Sequence, residues 1–200
     1  LRETALQGKP VVNVENACAS GSTAVHMARL AVASGQVEVA LAVGAEKLYH
    51  QDKQRTFQAM MSALDVARLD EIRARLGADQ PGSENRSIFM DVYAEMTRRF
   101  MDRTGATVRD FAQVAVKSHY HASRNPRAQY REPVTIEQVL DSRTVADPLT
   151  LLMCSPIGDG AAAVLVCSDE YAKRVGAETV RIRAAVLRSG REGAYGETVP

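Results

Sequence analysis

No stretch of the 200-residue sequence holds the roughly 18 uninterrupted apolar residues that cross a bilayer as a helix, so a membrane span is not expected. A secretory pattern of basic, apolar and small residues is likewise missing from its start, which opens at Leu1. Net charge is low, at +1, and no strongly basic block occurs, which argues against nucleic acid as a partner because phosphate neutralisation needs clustered Lys and Arg. Where arginines do gather, at Arg68, Arg73 and Arg75, they alternate with Asp65, Asp70 and Glu71 as on a solvated face. Cysteines number three, at positions 18, 154 and 167, an odd count without the short paired spacing of metal sites. These absences point to a soluble, cytoplasmic protein in a reducing compartment, with no metal.

What the chain does have is enough apolar content, 46%, for a substantial core in one domain or two small ones. Its organising feature is the run Val11-Val12-Asn13-Val14-Glu15-Asn16-Ala17-Cys18-Ala19-Ser20-Gly21-Ser22. The β-branched start, after Pro10, predicts a buried strand over 11–14. Asn16 is placed to cap a following helix over about 18–34, which Gly35 ends. A thiol at the first turn of a helix meets unpaired backbone N–H groups and the positive end of the helix dipole, a setting that favours thiolate. Cys18 therefore reads as a nucleophile. That helix carries Ala, Ser and Gly on most faces, which suits a position between two layers.

A second motif lies far downstream, Cys154-Ser155-Pro156-Ile157-Gly158-Asp159-Gly160-Ala161-Ala162-Ala163. Together, Cys18-Ala19-Ser20-Gly21 and Ser155 through Ala163 resemble, in order and separation, two segments of the thiolases. Asn125-Pro126-Arg127-Ala128-Gln129 and Asp147-Pro148-Leu149-Thr150 lean toward the sterol-carrier-protein type and the archaeal-like acetyl-CoA acetyltransferases. The resemblance implies an α/β fold with thiolase-like layers, mixed sheets around buried helices, and a largely helical loop-region insertion. It also implies a fragment lacking the start of the first half and most of the second. The expected division is 1–48 as the later part of the first half, 49–144 as the helical insertion, 145–178 as the return, and 179–200 as the start of the second half.

The activity implied is acyl transfer on acyl-CoA or 3-ketoacyl-CoA through an acylated Cys18, in the cleaving or the condensing direction, in lipid metabolism. Coenzyme A is then substrate or product, with no permanently bound cofactor. By the same resemblance Ser155 contacts the pantetheine arm of coenzyme A; equally, it is a turn-forming serine before Pro156. The protein is expected to form a homodimer or tetramer, with room for an additional partner subunit. The histidine, asparagine-bearing loop and second cysteine of the family come from the half outside this chain, so Cys154 and Cys167 read as buried thiols. His26, eight residues past Cys18, lies about 12 Å along a continuous helix and reads as structural. Two other readings stand beside acyl transfer: a retro-aldolase that does not need an acyl-cysteine, and a scaffold subunit without catalysis.

Between the motifs, Val37–Val43 predicts a strand leading into Gly44-Ala45-Glu46, where Glu46 reads as a local partner of backbone and Lys47 rather than as a pocket carboxylate. Residues 49–145 read as helices. In one of them Ile88, Val92, Tyr93, Met96 and Phe100 recur at helical spacing, a stripe that reads as core, although the resemblance places the acyl-binding region here. Thr107 and Asp110 form a helix-capping pair. His119 and His121 would lie about 200° apart on a helix, which disfavours a shared metal. Strands are expected at 143–146, 161–167 and 180–186, and a short helix from about 168 to 176.

Overall fold

A computed structural model describes residue 3 and residues 6–76 and 86–189. The last part of the expected 179–200 segment lies outside the described residues. The chain divides into two compact units, one formed by residues up to 46 together with 160–189, the other by residues 47–159.

The first unit is a helix on a two-stranded antiparallel ladder. Strand β1 (Val39–Glu46) pairs with β4 (Gly160–Cys167) in a register running from Val39 opposite Cys167 to Glu46 opposite Gly160. Helix α1 (Ser20–Ala33) lays one face on this ladder, so that Ala28, Ala42 and Val166 are buried with Ala24, Val25, Val32 and Ala40 packed around them. The alanines let the layers approach closely: a Cβ added to Gly44 would stand 3.9 Å from the Gly21 Cα. The opposite faces carry Met27, Leu30, Leu41 and Leu165, which are exposed. Helix α1 ends as expected at Gly35, at φ 73°, with the Gln36 N–H donating to Ala31 O and the Gly35 N–H to Val32 O, the paired bonds of a left-handed cap. Helix α7 (Asp169–Val175) begins at Ser168, whose Oγ accepts from the Tyr171 N–H at 3.1 Å, and its Arg174 forks onto both oxygens of Glu38 at 3.0 Å.

Two expected strands differ. Residues 11–14 and 180–186 carry no strand, with Val12 73% and Val180 96% exposed. A β-branched run becomes a strand only when an edge is available to satisfy its backbone groups, and among the described residues neither segment meets one.

The second unit is mostly helical: α2 (Lys53–Met61), α3 (Leu69–Leu76), α4 (Ile88–Thr104), α5 (Val108–Ser123) and α6 (Ile136–Asp141) precede the small strands β2 (Thr144–Ala146) and β3 (Leu149–Thr150). Its core joins Ala112 and Ala115 of α5 to Val139 of α6, with Leu152 and Met153 packed against them. The Asp110 carboxylate accepts from both the Thr107 N–H and hydroxyl at the start of α5, at 2.7 and 2.8 Å. A reciprocal pair, Thr135 and Gln138, starts α6.

In α4 the buried face is not the apolar stripe. Tyr93, Met96 and Phe100 are exposed, whereas Asp91 and Ala94 are buried. Asp91 tolerates burial because Arg86 donates two hydrogen bonds to its Oδ1, at 3.0 and 2.6 Å, supplying the counter-charge that a desolvated carboxylate requires. Ala94, one turn on, is small enough for close packing. Arg98 donates to the carbonyl of Asp147 and to Glu95, tying the same helix to the start of the β2–β3 turn.

Candidate active site

The turn that carries Cys18 is held from both sides. Ala17 stands at φ 44°, in the left-handed region that costs an L-residue about 1–2 kcal/mol. Immediately after it, Ala17–Ala19 form one 3₁₀ turn, and α1 continues from Ser20. The distortion is fixed by hydrogen bonds: Glu15 Oε1 accepts from the Ala17 N–H at 2.8 Å and lies 3.2 Å from Ser20 Oγ, and that hydroxyl oxygen accepts from the Asn16 N–H at 2.7 Å. The Ser20 hydroxyl also reaches Ala17 O at 2.8 Å, while Asn16 Nδ2 donates to Thr23 Oγ1 at 2.9 Å. Asn16 thus binds one turn into the helix through a side chain instead of capping the first backbone N–H groups. Within this frame Cys18 is exposed and free of any disulfide.

Sequence reasoning singled out Cys18 and Asn16 but missed Glu15 and Ser20. Their signal, a carboxylate and a hydroxyl flanking the cysteine at −3 and +2, is too common in loops to be distinctive. Glu46, at the end of β1, is exposed and shows no pairing with Lys47.

Lys47 belongs instead to a knot around Asp159. Its Nζ lies 2.5 Å from Asp159 Oδ2 and 2.7 Å from Tyr49 O, while Asp159 Oδ1 accepts from the Leu48 and Tyr49 N–H groups at 2.9 and 2.7 Å. The hydrogen bond from Lys47, then that from the Tyr49 N–H, hold the Asp159 carboxyl below the usual aspartate range. Through these bonds Asp159, at the end of the second unit, is joined to Lys47, Leu48 and Tyr49 at its start.

Ser155 lies in the second unit, Cys18 in the first. Ser155 is exposed and lines a groove of about 390 Å³ with Cys154, Pro156, His119, Gln129 and Tyr130 over an apolar floor that includes Phe111 and Leu152. The Cys154 thiol donates to Thr150 O at 3.3 Å, and burial pushes its pKa up, which keeps it a neutral thiol. His119 Nδ1 lies 3.2 Å from Glu132 O. A carbonyl oxygen can only accept, so Nδ1 carries the proton and Nε2 is the ring's acceptor in the neutral form. Both His119 and His121 sit on α5, and no group of metal-ligating side chains occurs among the described residues. In the first unit His26 is on α1, and its Nδ1 is buried without a hydrogen-bond partner among the described residues.

An exposed cysteine on a strained turn at the head of a small-residue helix, beside an antiparallel ladder whose second strand opens at Gly160, gives the first unit an α/β arrangement. Residues 3–170 match the thiolase N-terminal domain, and the chain belongs to the thiolase family. It is 38% identical over 183 residues to the benzoylsuccinyl-CoA thiolase subunit BbsB of Thauera aromatica, covering 90% of this chain and 43% of that protein. It is 41% identical over 181 residues to an acetyl-CoA acetyltransferase of Methanothermobacter thermautotrophicus, with 90% and 43% covered. Sterol carrier protein 2 of Gallus gallus is 31% identical over 194 residues, with 96% and 34% covered. The chain thus spans less than half the length of these relatives. Among solved structures, an Ltp2-ChsH2(DUF35) aldolase superposes with a TM-score of 0.54 at 31% identity, over 78% of this chain and 36% of that one. No described helix is long and apolar enough to cross a membrane.

Proposed function

We propose that the protein carrying this chain is a thiolase-type, coenzyme A-dependent acyltransferase in which Cys18 is the nucleophile. The observation that supports this most directly is the exposed thiol held on the strained, hydrogen-bonded turn at the start of α1. In the cleaving direction the Cys18 thiolate attacks the 3-keto carbon of a 3-ketoacyl-CoA. The bond between C2 and C3 breaks, its electron pair leaves with the acyl-CoA fragment as an enolate, and a proton completes that product. Free coenzyme A, losing its thiol proton, then attacks the acyl-cysteine and returns Cys18 as thiolate. Condensation is the reverse. Backbone N–H groups at the head of α1 are suited to hold the oxyanion formed in each attack. His26 lies eight residues past Cys18, on α1, and is assigned a structural role.

Ser155 is assigned to the pantetheine arm, whose amides a hydroxyl can bond. Its exposure in a groove with an apolar floor supports that role. The layout 1–48, 49–144, 145–178 and 179–200 is our reading of the first half, its insertion, its return and the start of a second half. Coenzyme A is substrate or product, no cofactor is permanently bound, and a cytoplasmic homodimer or tetramer is the expected form. One relative is itself a subunit, which supports an additional partner.

A retro-aldolase is the second reading, supported by the likeness to an aldolase. Intact-mass spectrometry of the full-length protein after brief exposure to acetoacetyl-CoA separates the two. A Cys18-dependent acyl adduct, absent in Cys18→Ala, is the expected outcome. Carbon–carbon cleavage that survives Cys18→Ala without any adduct would replace the acyltransferase with the aldolase.

A further inference from the structure

The irregular segment from Ser155 to Gly158 is anchored at its two ends. At the first end, the Cys154 N–H donates to Leu151 O at 3.1 Å and the thiol to Thr150 O. At the second end, Asp159 is fixed by the backbone of Leu48 and Tyr49. The Ser155 hydroxyl has no hydrogen-bond partner among the described residues, so its place depends on the backbone between those anchors. Among the described residues, the Gln129 side chain reaches the middle of that backbone. Its Nε2 lies 3.5 Å from Ile157 O, and its Oε1 would stand only 2.8 Å from a Cβ added to Gly158.

Gln129 is itself presented by a braced loop. Asn125 Oδ1 accepts from the Arg127 N–H at 3.0 Å and Asn125 O from the Ala128 N–H at 3.1 Å, while His119 holds the far side of the loop through Glu132 O. The amide thus bears on the segment from a fixed base. A Cβ at position 158 would occupy its seat. Because the atom displaced is the far end of a flexible side chain, Gln129 would swing out at little cost to the fold.

We propose that Gln129 is a positioning residue for the Ser155–Gly158 segment, and that glycine at 158 is the seat that admits its amide. The role rests on the assignment of Ser155 to the coenzyme A arm. Removing the amide and removing its seat are then the same lesion, so the two substitutions are non-additive.

The test uses the full-length protein with Gln129→Ala, Gln129→Met, Gly158→Ala and the Gln129→Ala/Gly158→Ala double variant. Backbone ¹⁵N order parameters of Ser155, Ile157 and Gly158 read positioning without reference to any reaction; Pro156 carries no N–H. They should fall from the rigid range of about 0.85 toward about 0.6 in both alanine variants, with melting temperature nearly unchanged. For acetoacetyl-CoA, each alanine variant should raise KM roughly three- to tenfold at nearly constant kcat, the loss of one modest polar contact. The double variant should be no worse than the worse single one. Gln129→Met keeps length without the amide and should behave as Gln129→Ala. Unchanged order parameters in Gln129→Ala, or effects that multiply in the double variant, would overturn the proposal. Lowered order parameters with unchanged KM would uphold the positioning of the segment and remove Ser155 from the binding of the substrate. Absence of any Cys18 adduct in the parent would defeat the thiolase reading alone, with the order parameters still deciding the part played by Gln129.

Discussion

Replacing Ala17 by glycine sets two effects of known sign against each other. At φ 44° an alanine carries about 1–2 kcal/mol of left-handed strain that glycine does not. Glycine adds conformational freedom to the unfolded chain, worth about 0.4–1 kcal/mol in the other direction. The difference favours Ala17→Gly by roughly 0.5–1 kcal/mol, or on the order of 2 °C in melting temperature for a protein of this size or larger. Ala19 provides the control, because it sits at φ −94°, where alanine is unstrained, and Ala19→Gly should lower the melting temperature. The same added freedom loosens the turn that presents Cys18, so acylation of Ala17→Gly by acetoacetyl-CoA should slow while stability rises. Scanning calorimetry and quenched-flow mass spectrometry on the full-length protein read the two quantities separately. A lower melting temperature for Ala17→Gly, in parallel with Ala19→Gly, would show that the turn is not strained and would refute the reasoning.

Two further outcomes follow from charge. Asp91→Ala strands Arg86 in a mostly buried site and should cost about 3 kcal/mol, whereas the pair Arg86→Met/Asp91→Leu should recover most of it; equal losses in denaturant titrations would contradict the ion-pair assignment. The Asp159 carboxyl is held below its ordinary value by Lys47 and the Tyr49 N–H, so its contribution is fully present above the unfolded-state pKa of about 3.9 and is lost as pH falls through the lower folded value. The melting-temperature gap between the parent and Asp159→Asn should therefore close in acid below about pH 4, and a gap independent of pH would exclude the knot.

Local chemistry was legible in the sequence where a residue's partner lies a few positions away. Gly35 as a left-handed cap, Thr107 with Asp110, and the helical period of residues 49–145 all depend on neighbours within one or two turns. Strands β1 and β4 followed from two apolar runs, although neither their pairing nor its register did. What was illegible depends on distant partners. Val11–Val14 has strand composition but no edge to join among the described residues. The α4 stripe has core composition, yet the buried face is set by Arg86 reaching Asp91, which periodicity of apolar residues cannot register. Cys18 and Ser155 were proposed from their motifs. The hydrogen bonds of Glu15, Ser20 and Gln129 were not foreseen, because each involves a backbone group whose position only the fold supplies.

The ladder has a consequence for how this chain can be engineered. Glu46 faces Gly160 at the last rung, so β1 and β4 are the two arms of a hairpin, and everything from Lys47 to Asp159 stands where a short turn would suffice. Loop-closure entropy grows only logarithmically with length, so a hairpin accepts a long connector when that connector folds on itself and begins and ends at one place. Lys47 and Asp159, joined at 2.5 Å, provide that common point. The connector is therefore a replaceable cassette: a graft from another source that begins and ends with such a pair inherits the hairpin's junction, leaving the cysteine-bearing turn unchanged in sequence.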